Sequence, residues 1–223
     1  MTTVGLIGSG RIGSTVATLA VAAGHRVVLS NSRGPQTLGD LVARLGPLAG
    51  AGTTAEAAAS DLVVVAIPVK AYQDLPAAAL AGRVVLDTGN YSPARRDGQI
   101  ADLDDGTLTS SELLQRLLPG AAVVKVFNNI YFKHLEHLSR PAGAPGRSFL
   151  PIAGDDPQAK EAVTAFLNEI GYGTVDAGPL AEGWRQEPGT PAYGTPYGPF
   201  DDELGTPADA GAVSAALASA SAR

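Results

Sequence analysis

Cysteine is absent from the 223 residues, which excludes disulfides, a thiolate nucleophile and Cys-ligated zinc. Also missing is any dense run of Lys and Arg. With a net charge of −6 and a pI near 5.0, the chain offers no surface that neutralises phosphates in succession, so no nucleic-acid partner is expected. No stretch reaches the 18 or so consecutive apolar residues that a membrane span needs. No G-x-S-x-G elbow occurs, which leaves Ser-His-Asp hydrolysis unsupported. No leader-like segment precedes the first expected strand, and the expected address is cytoplasmic.

What is present suits one α/β domain with an appendage, since 45% apolar residues suffice for a full core. Short apolar runs alternate with helix-period segments, the pattern of βαβ units and a mainly parallel sheet. Strands are expected at 3–7, 26–30, 49–53, 62–67, 83–87, 122–127, 148–153 and 173–176. Most are apolar on both faces, as strands covered on both sides by helices must be. Thr53 with Glu56, and Thr109 with Glu112, read as capping boxes, and Asp156-Pro157 as a cap followed by a first-turn proline.

The composition changes after Gly178-Pro179, which divides the chain into a domain over 1–180 and an arm over 181–223. Residues 181–200, AEGWRQEPGTPAYGTPYGPF, hold the single Trp among prolines and glycines, stiff enough to pack although irregular. The arm needs a surface to cover. Residues 184–200 are expected over the substrate side of the pocket, in the same subunit or across a homodimer. A final helix is expected from Thr206 as cap, with Pro207 in its first turn, running to Ala222.

The motif that carries chemistry is VGLIGSGRIG. Gly8, Gly10 and Gly13 fit G-x-G-x-x-G between an expected strand and an expected helix, the context of dinucleotide binding in a doubly wound, Rossmann-type sheet. Gly8 permits the turn, Gly10 the approach of a pyrophosphate, and Gly13 the close packing of helix on strand. An NAD site would place an acid at the tip of the next strand, to hold the ribose hydroxyls. This chain has Asn31, Ser32 and Arg33 there. Hydroxyl and amide donors with a guanidinium suit a 2′-phosphate, so the expected cofactor is NADP(H).

Taken together, GLIGSGRIG, SNSRGP, VVVAIPVK, VVKVFNNI, PIAGDD and VDAGPL resemble the coenzyme F420-dependent NADP oxidoreductases over nearly 180 residues. The resemblance implies hydride exchange between NADP(H) and a deazaflavin, coenzyme F420, as the small-molecule substrate. It places Ser9, Gly10, Arg11 and Ile12 on the pyrophosphate, Ser32 and Arg33 on the 2′-phosphate, and Ile67 and Pro68 along the nicotinamide ribose. Asn128, Asn129 and Ile130 would border the nicotinamide, and Asn90 falls at the same sheet edge. The chain departs from the family pattern at Asn128-Asn129, where archaeal members carry His-Thr, and after DAGPL, where they continue into an apolar helix.

Hydride transfer between two stacked rings needs little from acids or bases, and no catalytic residue is assigned. An imine or carbonyl acceptor would instead need a proton donor, for which Lys70, Lys125, Tyr131 and His134 are the candidates. A non-catalytic NADPH sensor is the alternative of a different class. No metal site is expected: His134 and His137 lack a third ligand, and Asp102, Asp104 and Asp105 lack the bidentate Glu of a calcium loop.

Overall fold

The computed structural model describes residues 1–221. Eight strands form the sheet: β1 (Thr3–Ile7), β2 (Arg26–Ser30), β3 (Ala49–Ala51), β4 (Leu62–Val65), β5 (Val84–Asp87), β6 (Ala122–Lys125), β7 (Phe149–Gly154) and β8 (Gly173–Asp176). Their order is β3-β2-β1-β4-β5-β6-β7-β8. The first six pair in parallel; β7 runs antiparallel to β6, and β8 parallel to β7. The order 3-2-1-4-5-6 is that of the Rossmann fold, with its topological switch between β1 and β4.

Alternation of side chains sends each strand into both layers. Val4 and Leu6, Leu62 and Val64, and Leu86 and Val124 join the core on one side, while Ile7, Val63, Val65, Val85 and Val123 join the other. Both sides are apolar, which is why the strands read as continuous Val-Leu-Ile runs. The helix α1 (Arg11–Ala22) buries Val16, Ala17, Leu19 and Ala20 in the first layer. Thr53 and Thr109 close the two expected capping boxes, each accepting from the N–H of the Glu three residues on. Asp156 caps the helix Pro157–Glu169 through the N–H groups of Gln158 and Ala159.

The arm finds its surface within its own chain. Ala192, Tyr197, Ala208, Val213 and Leu217 enter the same core cluster as β7 and the helix 157–169. Tyr197 has no exposed surface, and its hydroxyl donates to the Phe149 carbonyl at 2.8 Å. A second copy is therefore not needed to cover it. The final helix starts later than the sequence suggests, at Ala210–Ala218, capped by Asp209 through the Ala212 N–H; Ala222 lies outside the described residues. Thr206 and Ala208 are held elsewhere: the Thr206 N–H donates to the Tyr197 carbonyl, and the Phe149 N–H to the Ala208 carbonyl. Deletion of residues 190–223 is expected to abolish cooperative thermal unfolding followed by circular dichroism. It strips apolar cover from β7 and β8, and a truncated chain that still melts cooperatively near the parent midpoint would contradict this.

Candidate functional site

The loop after β1 is shaped by its glycines. Gly8 has φ +107° and donates its N–H to the Ser30 carbonyl at 3.0 Å, joining the ends of β1 and β2. Gly10 is the N-cap of α1, with no side-chain cap and no acidic residue in the first turn. The positive end of this helix is therefore left for an external anion. A Cβ built on Gly10 would meet nothing within 4 Å, so this backbone borders open space that a pyrophosphate can enter. The residues present fit the phosphates of a dinucleotide.

On one side of Gly10 lies a cleft of about 420 Å³, lined by Gly8, Ser9, Asn31, Ser32, Arg33 and Pro68 among others. Ser32 and Arg33 are exposed at its rim, and among the described residues the Arg33 guanidinium has no hydrogen-bond or ion-pair partner. Asn31 is committed differently from the sequence expectation. Its amide donates to Ser9 Oγ at 3.3 Å and to Thr37 Oγ1 at 3.0 Å, while its Oδ1 accepts the Arg33 N–H at 2.9 Å. It shapes the turn that presents Ser32 and Arg33, and has no spare donor for a phosphate.

On the other side, and sharing Gly10, Ala66, Ile67 and Pro68, lies a second cleft of about 570 Å³. Arg11, Ile12, Asn90, Asn128 and Ile130 line it. Phe127, fully buried at its floor, has φ +64°, a conformation that costs a non-glycine residue of order 1–3 kcal/mol and turns the chain immediately after β6. The next residues are then locked. Asn90 Nδ2 donates to the Asn128 carbonyl at 2.7 Å, and Asn128 Nδ2 donates to Asn90 Oδ1 at 2.9 Å and to the Gln186 carbonyl at 2.8 Å. Asn129 turns away from the cleft: its Nδ2 donates to the Ala192 carbonyl and its own carbonyl accepts the Gly194 N–H, both at 2.8 Å. Its work is to hold the arm, which corrects its expected place beside the nicotinamide.

Held this way, the arm supplies Tyr193 and Phe200 to the wall of the second cleft, edge to face with centroids 5.8 Å apart. Trp184 and Tyr197 are not part of that wall; Trp184 carries the Arg185 guanidinium over its ring and Tyr197 is core.

Of the proton-donor candidates only Tyr131 lines the cleft. Lys70 is exposed and does not line it. His134 is buried, with Nε2 2.5 Å from the Asp202 carbonyl, and Tyr131 packs edge-on against its ring. Lys125 is fully buried under the floor, 3.0 Å from Glu187 Oε1. Sequence reasoning missed Arg95 and Arg96, which line the second cleft from the turn after β5. Two adjacent arginines in YSPARRDG carry no signal of that placement beyond their charge.

Fold and clefts define a Rossmann-type protein with an extended groove across the switch point of its sheet. Residues 3–91 match the family described as NADP oxidoreductase, coenzyme F420-dependent. Metalloreductase STEAP3 of Rattus norvegicus is 30% identical over 182 residues, which are 80% of this chain and 34% of that protein. A structure of the hypothetical protein SMa0349 from Sinorhizobium meliloti superposes with TM-score 0.73 at 29% identity, covering 94% of this chain and 97% of that one. A candidate F420-dependent NADP reductase from Arthrobacter sp. FB24 follows, with TM-score 0.68, 25% identity, and 82% and 87% coverage. The chain spans less than half the length of the curated relatives it matches. No helix among the described residues is long and apolar enough to cross a membrane.

Proposed function

We propose that the protein is an NADP-dependent oxidoreductase exchanging a hydride with a deazaflavin of the coenzyme F420 type. The observation that carries the cofactor half is the tip of β2, where Ser32 and the unpaired Arg33 guanidinium stand at the rim of the first cleft. The family match over residues 3–91 and the Arthrobacter neighbour support the acceptor half.

NADP(H), when bound, supplies the hydride chemistry. The chain's own part is position and exclusion of water. The N-terminus of α1 and Gly10 would hold the pyrophosphate, Ser32 and Arg33 the 2′-phosphate, and Ile67 and Pro68 would direct the nicotinamide into the second cleft. There the aromatic walls from Tyr131, Phe132, Tyr193 and Phe200 offer flat apolar area against which a second ring can be stacked. Among the described residues, no buried Asp, Glu, Lys or His lines this cleft, in keeping with a transfer between two rings that needs none.

The test compares cofactors. Arg33→Ala removes a charge-assisted contact worth about 1.5–3 kcal/mol, so NADPH binding is expected to weaken roughly 10–100-fold while NADH binding is nearly unchanged. Equal losses for the two, measured by titration of nucleotide fluorescence, would overturn the assignment. Absorbance of a deazaflavin mixed with NADPH and protein then reads the acceptor directly.

A further inference from the structure

We infer that the hydride acceptor carries an anionic group and that Arg95, supported by Arg96, reads it; the inference rests on the proposed oxidoreductase reading of the same groove. The second cleft is basic in an acidic protein. Among the described residues three guanidinium groups line it, from Arg11, Arg95 and Arg96, and no Asp or Glu does, although the chain as a whole carries a net charge of −6.

The three are not equivalent. Arg11 follows Gly10 in the phosphate loop, with its guanidinium 5.2 Å over the Phe132 ring, and is placed for the cofactor's pyrophosphate. Arg96 is partly spoken for, its Nη2 donating to the Asn90 carbonyl at 2.8 Å and its Nε lying 3.5 Å from Asp97 Oδ2. Arg95 is exposed, and among the described residues its side chain has no hydrogen bond or ion pair. Ser32 and Arg33 stand at the other cleft, so the 2′-phosphate does not account for it.

The turn that carries these arginines is rigidly set. Asp97 is buried, and its carboxylate accepts the Ser92 N–H at 2.8 Å and the Lys70 N–H at 3.3 Å, fixing Pro93–Asp97 against the segment after Pro68. A guanidinium held at the mouth of an aromatic-walled cleft, without a partner of its own, suits a ring that carries a phosphate or carboxylate on a side chain. Arg95 is thus a specificity-determining residue, acting on the acceptor's tail and not on its reacting ring.

The experiment uses 5-deazariboflavin and its 5′-phosphate, which share a ring and differ in the anion. Binding of each to the NADP⁺-loaded protein is followed by deazaflavin fluorescence, and turnover with NADPH by absorbance. The phosphate is expected to bind about tenfold more tightly than the neutral compound. Arg95→Gln should bring that ratio close to one while leaving NADP⁺ affinity and the unfolding midpoint unchanged. No preference in the parent protein, a preference that survives both Arg95→Gln and Arg96→Gln, or no binding of either compound overturns the inference. A parallel loss of NADP⁺ affinity in Arg95→Gln would also overturn it, assigning the arginine to the cofactor. Preferential, Arg95-dependent binding without turnover would uphold the inference and count against the proposed reaction.

Discussion

Replacing Lys125 by methionine is expected to lower the free energy of unfolding by about 3–5 kcal/mol, a large part of the 5–15 kcal/mol typical of a whole domain. Lys125 and Asp87 are register partners on β6 and β5, and neither has exposed surface. Asp87 is saturated with donors: Oδ1 accepts the Tyr72 hydroxyl at 2.6 Å and the Gly89 N–H at 2.8 Å, and Oδ2 accepts Ser111 Oγ at 2.6 Å. Burial, with Asp87 alongside, pushes the Tyr72 hydroxyl well above the usual phenol range, so it remains a donor. Lys125 Nζ donates to the Gly89 carbonyl at 3.0 Å, to Ser110 Oγ at 2.9 Å and to Ser111 Oγ at 3.2 Å, and meets Glu187 at 3.0 Å. The cation is paired directly with Glu187 and linked to Asp87 through the Ser111 hydroxyl. Methionine fills the volume but leaves Glu187 without its partner and the Gly89 carbonyl, Ser110 and Ser111 without a donor. Glu187→Gln is the informative contrast, because it keeps an acceptor for Ser110 and leaves Lys125 its carbonyl and hydroxyl partners; about 1–2 kcal/mol is expected. Urea unfolding of the two variants measures both. A Lys125→Met protein within 1 kcal/mol of the parent would show that the network adds little to stability.

That network marks where the sequence stopped being readable. Periodicity located β1, β2 and β8 at the residues observed, Thr3–Ile7, Arg26–Ser30 and Gly173–Asp176, because a short run of strand-forming residues between turn signals carries its evidence locally. The expected strand over 122–127 stops at Lys125 instead, for the positive φ of Phe127 ends it and a phenylalanine gives no hint of that conformation. The antiparallel direction of β7 is likewise a matter of how the chain returns, not of its composition. The phosphate loop was legible because glycine spacing is itself the constraint. Arg95 and Arg96 were not, since their role depends on a turn set by Asp97, whose burial follows from the fold. The arm's aromatics announced packing; that Asn128 and Asn129 would anchor it through the carbonyls of Gln186 and Ala192 depends on a contact across the fold.

The three glycines of the loop should separate under substitution by alanine, two losing stability and one losing cofactor. At Gly8 an L side chain must adopt φ +107°, and its Cβ would lie 2.3 Å from the Ala66 carbonyl oxygen. At Gly13 the Cβ would lie 2.0 Å from the Gly8 carbonyl oxygen. Neither obstacle is a flexible side chain, so the backbone itself must shift, and each substitution is expected to cost about 1–3 kcal/mol in the absence of nucleotide. Gly10 differs in both respects. Its φ of −74° and ψ of −167° are open to alanine, and its Cβ would meet no protein atom within 4 Å. Gly10→Ala should therefore fold with a loss below about 1 kcal/mol, the scale of exchanging glycine for alanine at an N-cap. The methyl group then occupies space that a pyrophosphate needs to reach the first N–H groups of α1, and NADPH affinity is expected to fall about 10–100-fold, some 1.4–2.8 kcal/mol. Urea unfolding of the nucleotide-free variants, set beside NADPH titrations, separates the two effects. If Gly10→Ala binds NADPH as the parent does, the pyrophosphate does not lie against this backbone, and the cofactor's course along the groove would have to be redrawn.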